Sequence, residues 1–204
     1  MQRITSLFDY FKKYEQSVKD PEEFWAGIAG TFIWKKKWDK VLDWDFDSVD
    51  IKWFKNAKLN ITENILEKNL KDRADKTAII WEPNDPTEPS IHLTYKKLYE
   101  ETCKFSNALR EKGIKKGDRV IIYMPMVPEA AIAMLACARV GAIHSVVFAG
   151  FSSTSLADRI NDCQAKMVLT SDGNFRGNKT IPVKPVVDEA LEKCKTIESV
   201  IVLE

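Results

Sequence analysis

From about residue 60 onward, short apolar runs alternate with longer amphipathic stretches at regular intervals. Residues 77–82 ("TAIIWE") and 91–94 ("IHLT") are rich in β-branched and aromatic side chains, with the turn-forming "PNDPTEPS" between them, and so predict two strands. Thr94 then stands where a helix N-cap belongs. Behind it Tyr95, Leu98, Tyr99, Cys103, Phe105, Ala108 and Leu109 fall near one helical face, and Gly113 stops the helix. "DRVIIYM" (118–124) predicts the next strand, ended by Pro125. "PEAAIAMLACARVG" is apolar nearly all round, which predicts a buried helix closed by Gly141. The pattern is completed by a strand "AIHSVVF" (142–148), a helix over 152–163 capped by Ser152 or Ser153, and a strand "AKMVLT" (165–170). A helix beginning near Pro185 and a strand "SVIVLE" (199–204) come last. Apolar strands alternating with helices predict an α/β fold. The sheet is parallel and flanked by helices on both faces, because crossover connections put them there.

The first 54 residues differ in character. They hold five of the six tryptophans (Trp25, Trp34, Trp38, Trp44, Trp53), interleaved with lysines in "FIWKKKWDKVLDWDFD". Basic and aromatic interleaving suits single-stranded nucleic acid, but Asp39, Asp43, Asp45, Asp47 and Asp50 follow at once and repel phosphate. The favoured reading is a mainly helical arm whose rings anchor it to a larger body. "KDPEEFW" carries a helix start: Asp20 as N-cap, Pro21 at the first helical position and acids in the first turn.

Charge narrows the function further. Lys+Arg number 31 and Asp+Glu 30, a net charge of +1, so the chain lacks the basic bias of a generic nucleic-acid or membrane-surface binder. The longest apolar run is cut by Arg139, Gly141 and His144 and reads as helix plus strand, not as a membrane span. The four cysteines (Cys103, Cys137, Cys163, Cys194) include no C-x-x-C pair and read as structural thiols. With no signal-peptide core at the start, a reducing, cytoplasmic setting is expected.

In an open parallel sheet, ligands bind beyond the carboxyl ends of the strands. Two loops belong there. "FAGFSS" (148–153) carries Ala149 and Gly150, which leave room for close approach to the backbone; a tight strand-to-helix turn accounts for them equally well. "SDGNFRGNKTIPVK" places Arg176 and Lys179 three residues apart, where on irregular or helical chain they converge on one anion. By spacing alone, a solvated loop is the simpler account. Neither standard nucleotide loop occurs, nor a G-x-S-x-G nucleophile elbow. The two histidines, His92 and His144, sit in strand-like runs. No catalytic residue and no metal site is assigned.

The residues also carry a family resemblance. The run from Lys104 to Asp162, "KFSNALREKGIKKGDRVIIYMPMVPEAAIAMLACARVGAIHSVVFAGFSSTSLADRIND", resembles the acetyl-CoA synthetases, short-chain acyl-CoA synthetases of the adenylate-forming superfamily. "FWAGIAG", "WDKVLDWDF" and "WFKNAKLNITEN" resemble that family's amino-terminal extension, and "SDGNFRGNKTIPVKPVVDEAL" its coenzyme A segment. The resemblance implies an extension over 1–60 and the first, incomplete part of an AMP-binding α/β domain over 61–204. It implies a ligase using ATP, Mg2+, acetate and coenzyme A. ATP and acetate give acetyl-adenylate and pyrophosphate, and the coenzyme A thiol then displaces AMP.

By the same resemblance, Phe148, Ala149 and Gly150 line the pantetheine tunnel. Arg176 and Lys179, with Gly177 and Asn178 between them, hold the coenzyme A 3′-phosphate. The sequence departs from the family pattern at Ala149, where glycine is usual, and at Lys179, where several relatives carry arginine. The family's phosphate loop, adenine and acyl pockets and mobile domain lie farther along the chain than these 204 residues. An amino-terminal portion supplying part of a coenzyme A site is therefore expected. It should be inactive by itself, hold no ligand tightly, and have the missing carboxy-terminal part as its partner or form a homo-oligomer through the uncovered surface. The alternatives are a non-catalytic module binding coenzyme A or a protein partner, or part of a propionyl- or acetoacetyl-CoA synthetase.

Overall fold

A computed structural model describes residues 3–204, and the chain divides into two compact units, 1–64 and 65–204. In the first unit, α1 (Leu7–Lys19) starts at Ser6, whose hydroxyl accepts from the Asp9 amide. Helix α2 (Pro21–Ala29) starts at Asp20, whose carboxylate accepts from the Glu23 amide at 3.0 Å, with Pro21 in the first turn. The helical start read from "KDPEEFW" is thus present. Beyond α2 the unit turns to strand: β1 (Lys40–Asp45) and β2 (Asp50–Lys55) form an antiparallel ribbon, with Leu42 opposite Trp53 and Trp44 opposite Ile51. Its period of two was hidden in the sequence by aromatic density and by charges on both strands. The rings of Trp34, Trp38 and Phe54 pack together with centroids 5.2–5.5 Å apart, and the Trp34 indole donates to the Ala29 carbonyl at 2.8 Å.

In the second unit, α3 (Lys68–Arg73) continues from a π-helical turn at Glu63–Glu67. An antiparallel pair, β3 (Thr77–Trp81) and β4 (Ile91–Thr94), leads into α4 (Tyr95–Glu111), capped by the Thr94 hydroxyl on the Lys97 amide. The main sheet is built from β5 (Arg119–Tyr123), β6 (Ile143–Val146), β7 (Met167–Ser171) and β10 (Ser199–Leu203). All are parallel, in the order β10-β7-β5-β6. Helices α5 (Pro128–Val140), α6 (Ser153–Cys163) and α7 (Lys184–Leu191) make the crossovers. Gly141 closes α5 at φ +81°, a left-handed conformation that a side chain disfavours.

Strand periodicity divides the core. Val120, Ile122, Met167 and Leu169 point to one face and pack on Leu109 of α4 and Ala133, Ala136 and Cys137 of α5. Ile121, Tyr123 and Val168 point to the other, against Leu156 and Ile160 of α6 and Val187 and Ala190 of α7. A sheet buried on both faces explains why its strands read as continuous apolar runs. The parallel sheet flanked by helices is as the sequence predicts.

One element differs from the sequence reading. The segment after β7 is not irregular or helical but a hairpin, β8 (Gly173–Arg176) and β9 (Lys179–Pro182). Its two-residue turn is Gly177-Asn178, with Gly177 at φ +58° and Asn178 outside the positive-φ region. That is the pattern of a hairpin turn with glycine at its first central position. Two strand-favouring residues, Phe175 and Thr180, face each other beside the turn.

Candidate functional site

Strands β5, β6 and β7 run in one direction, so the chain leaves all three at the same edge of the sheet. From β5 it crosses to β6 on one side, and from β7 to β10 on the other, so the connections part between β5 and β7. Such a switch point opens a crevice at the carboxyl edge. Both loops singled out in the sequence belong to this edge. Residues 148–153 come after β6, and the hairpin at 173–182 comes after β7.

The hairpin aligns its two cations. Arg176 and Lys179 are direct partners across the turn, so their side chains leave the same face of the ribbon with Cβ atoms about 4.5–5.5 Å apart. Both are exposed, and among the described residues neither enters an ion pair. The arginine fork and lysine point charge together fit a phosphate dianion. Gly177 has open space where a Cβ would stand, which leaves the turn backbone accessible.

The base of the hairpin is held by main-chain bonds: the Val183 and Lys184 amides donate to the Asp172 carbonyl at 2.9 and 3.2 Å, and the Asp172 amide donates to the Leu203 carbonyl at 2.9 Å. Its tip is held by Asn84, whose side-chain amide donates to the Gly177 carbonyl at 2.8 Å. Sequence reasoning missed Asn84, because the only local signal was a turn-rich run between two strands.

In the other loop, the Phe151 amide donates to the Phe148 carbonyl at 3.1 Å, closing a turn around Ala149 and Gly150. The Phe148 ring lies over Gly150, where a Cβ would come within 2.5 Å of its edge. A side chain at this position would have to displace the exposed Phe148 ring. Phe148 and Phe151 meet edge to face at 6.1 Å, and the Arg159 guanidinium sits 4.9 Å above the Phe151 ring. Ser152 caps α6 by accepting from the Ser155 amide at 3.3 Å. Tyr123, at the end of β5, donates its hydroxyl to the Phe151 carbonyl at 2.7 Å, and burial pushes the phenol above its ordinary pKa. Neither histidine lies in these loops: His92 meets the Ser90 hydroxyl at 3.0 Å and His144 lies in β6. Among the described residues no cluster of three His, Cys, Asp or Glu side chains could hold a metal ion, and no helix is long and apolar enough to cross a membrane.

Residues 66–204 match the family model of the AMP-binding enzymes. The chain belongs to that family. Residues 10–65 match the model of the acetyl-coenzyme A synthetase N-terminus, which agrees with the resemblance carried by the motifs. Among curated relatives, the acetyl-coenzyme A synthetase of Syntrophobacter fumaroxidans is 52% identical over 196 residues, covering 96% of this chain and 30% of the relative. That of Bdellovibrio bacteriovorus is 50% identical over 196 residues, with the same coverage. The chain thus spans about 30% of the length of the relatives it matches. Among solved structures, the acetoacetyl-CoA synthetase from Streptomyces lividans superposes with a TM-score of 0.83 at 26% identity, over 92% of this chain and 29% of that one.

Proposed function

We propose that this chain is part of an acetate–CoA ligase, which makes acetyl-CoA from acetate, ATP and coenzyme A through acetyl-adenylate. Its own contribution is one wall of the coenzyme A site. The observation that carries the proposal is the pairing of Arg176 with Lys179 across a hairpin turn at the carboxyl edge of the sheet. Arg176 grips the coenzyme A 3′-phosphate with its fork, Lys179 adds a second charge, and Gly177 and Asn178 keep bulk away from it. Phe148, Ala149 and Gly150 border the pantetheine arm.

Acetate is favoured over acetoacetate as the acyl substrate by the 52% and 50% identity to acetyl-CoA synthetases, against 26% to the acetoacetyl enzyme. On this reading residues 1–60 are the extension of the family and 61–204 the opening of its AMP-binding domain, in a cytoplasmic enzyme. The adenylation chemistry, with ATP and magnesium, belongs to sequence that the relatives carry and this chain does not. The 204-residue chain alone therefore releases no pyrophosphate from ATP and acetate.

The test is Arg176→Ala in a ligase in which this chain replaces the matched residues of the Syntrophobacter fumaroxidans relative. A charge-assisted contact to phosphate contributes about 1.5–3 kcal/mol, and Arg176 is exposed, so the lower end applies. The KM for coenzyme A should rise about tenfold, with little change for dephospho-coenzyme A. Equal losses for the two would remove Arg176 from the phosphate role. Wild-type indifference to the 3′-phosphate would favour a binding module of another kind.

A further inference from the structure

We infer that Tyr123 is a positioning residue for the thioester-forming step, setting the Phe148–Phe151 turn through its hydroxyl. This rests on the proposed role of that turn as a wall of the pantetheine channel. Tyr123 closes the middle strand at the switch point, and its residue is only 1% exposed. Its ring packs in the core cluster with Val147, Leu156 and Ile160. A phenylalanine would fill that space as well. The hydroxyl is the only group that distinguishes them, and burying it is unfavourable unless it is bonded. Its bond goes to a main-chain carbonyl 28 residues later, Phe151, one residue before the α6 cap.

The turn itself has few other anchors. The Val147 amide on the Ile122 carbonyl, at 2.9 Å, extends the sheet up to its start. From there Phe148 is 69% and Phe151 43% exposed, so the rings are not held by burial. Two exposed rings on a backbone tied from below make an apolar rim on a fixed base, suited to a flexible and partly apolar arm. Without the tyrosine hydroxyl the Phe151 carbonyl loses its partner. The turn is then held by its internal bond, by the Arg159 stack and by the packing of Ala149 on the core, and the rim drifts relative to the end of β5.

The experiment is Tyr123→Phe, read in two ways. In the 204-residue chain, hydrogen exchange at the amides of residues 149–153 should speed up about three- to tenfold, the effect of losing one partly buried hydrogen bond. Exchange in β5 and β7 should stay slow. In the ligase carrying this chain, KM should rise about three- to tenfold for coenzyme A and dephospho-coenzyme A alike, because the pantetheine arm is common to both. Acetate-dependent ATP–pyrophosphate exchange, which does not need coenzyme A, should fall far less. That selectivity separates positioning from general destabilisation. Unchanged loop exchange overturns the inference while leaving the phosphate clamp at Arg176 intact. Faster loop exchange with unchanged coenzyme A kinetics also overturns it, and removes the turn from the pantetheine wall. Parallel losses in both half-reactions overturn it too, and reduce Tyr123 to a stability role.

Discussion

Arg119 offers a measurable test of how the second unit is held together. It opens β5, and its guanidinium donates to three carbonyls: Cys163 at 2.6 Å, Gly117 at 3.1 Å and Gln164 at 3.1 Å. Cys163 is the last residue of α6, a helix with no basic residue in its last turn. Arg119 therefore supplies from another element the cation that the carboxyl end of a helix favours. In Arg119→Ala, water replaces the donors at the two exposed carbonyls, which costs little. The partly buried Cys163 carbonyl loses a charged donor, about 1.5–3 kcal/mol. With about 0.5 kcal/mol for the helix dipole, the loss should be about 3 kcal/mol. Arg119→Lys keeps the charge but not the fork, and should recover about half. Because the chain has two units, a single unfolding transition is not assumed. Native-state hydrogen exchange of the slowest β5 and α6 amides is the direct measure. A loss below about 1 kcal/mol, or a lysine variant no better than alanine, would refute the reasoning.

Local geometry sets two further outcomes. Gln164 caps α6 at φ +50°, a left-handed conformation that costs a non-glycine residue roughly 1–2 kcal/mol. Gln164→Gly should raise stability by about 1 kcal/mol, read by native-state hydrogen exchange of the slowest α6 amides, since Arg119 is bonded to the Gln164 backbone, which is kept. Asp43 sits between Lys55 and Lys40, and the hydrogen bond from Lys55, followed by that from Lys40, lowers its carboxyl pKa to about 2. A carboxylate depressed in the folded state adds stability above its unfolded pKa, about 3.9, and loses it as pH falls through the folded value. The β1–β2 ribbon should therefore weaken between about pH 4 and pH 2, and Asp43→Asn should shrink that pH dependence in tryptophan fluorescence of the first unit, leaving the part due to Asp45, whose carboxyl is lowered chiefly by the hydrogen bond from the Asp47 amide. An unchanged profile in the variant would exclude Asp43 as the titrating group.

On the coenzyme A reading, the chain divides the work of its carboxyl edge between two elements of different stiffness. The Phe148–Phe151 turn is tied to the central strand. The hairpin stands out from the sheet edge, held at its base by Asp172 and at its tip by Asn84. A phosphate held at the outer element and a flexible arm laid along the inner one gives a ligand two separated anchors. That arrangement lets the charged contact act on affinity and the apolar turn on the position of the reacting end.

Much of the fold was legible because its signals are local. The Thr94, Asp20 and Ser152 caps, the glycine at 141 and the apolar, β-branched strand runs each act over a few residues, and all formed within two or three residues of the predicted bounds. The β1–β2 ribbon is hidden because its dense tryptophans and interleaved Lys and Asp fit a mainly helical, aromatic arm as well as they fit a strand pair. The β8–β9 hairpin is hidden because its Gly-Asn turn is flanked by Arg176 and Lys179, whose charges fit a solvated loop equally well.

By itself, the sequence determined the alternation of strands and helices, the two-sided burial of β5 and β7, and the family, through motifs that run along the chain. It also placed Arg176 and Lys179 three residues apart, a spacing equally at home on a solvated loop. Only the tertiary structure decided that this spacing is a cross-strand pair, which sends both cations to one face. The strand order, with β5 between β6 and β7, brought the hairpin and the Phe148–Phe151 turn to one edge. Tertiary packing also joined Tyr123 to Phe151 and Asn84 to Gly177, pairs 28 and 93 residues apart. Long-range hydrogen bonds of that kind leave no periodic trace in a sequence, because the partner is chosen by where the sheet delivers it.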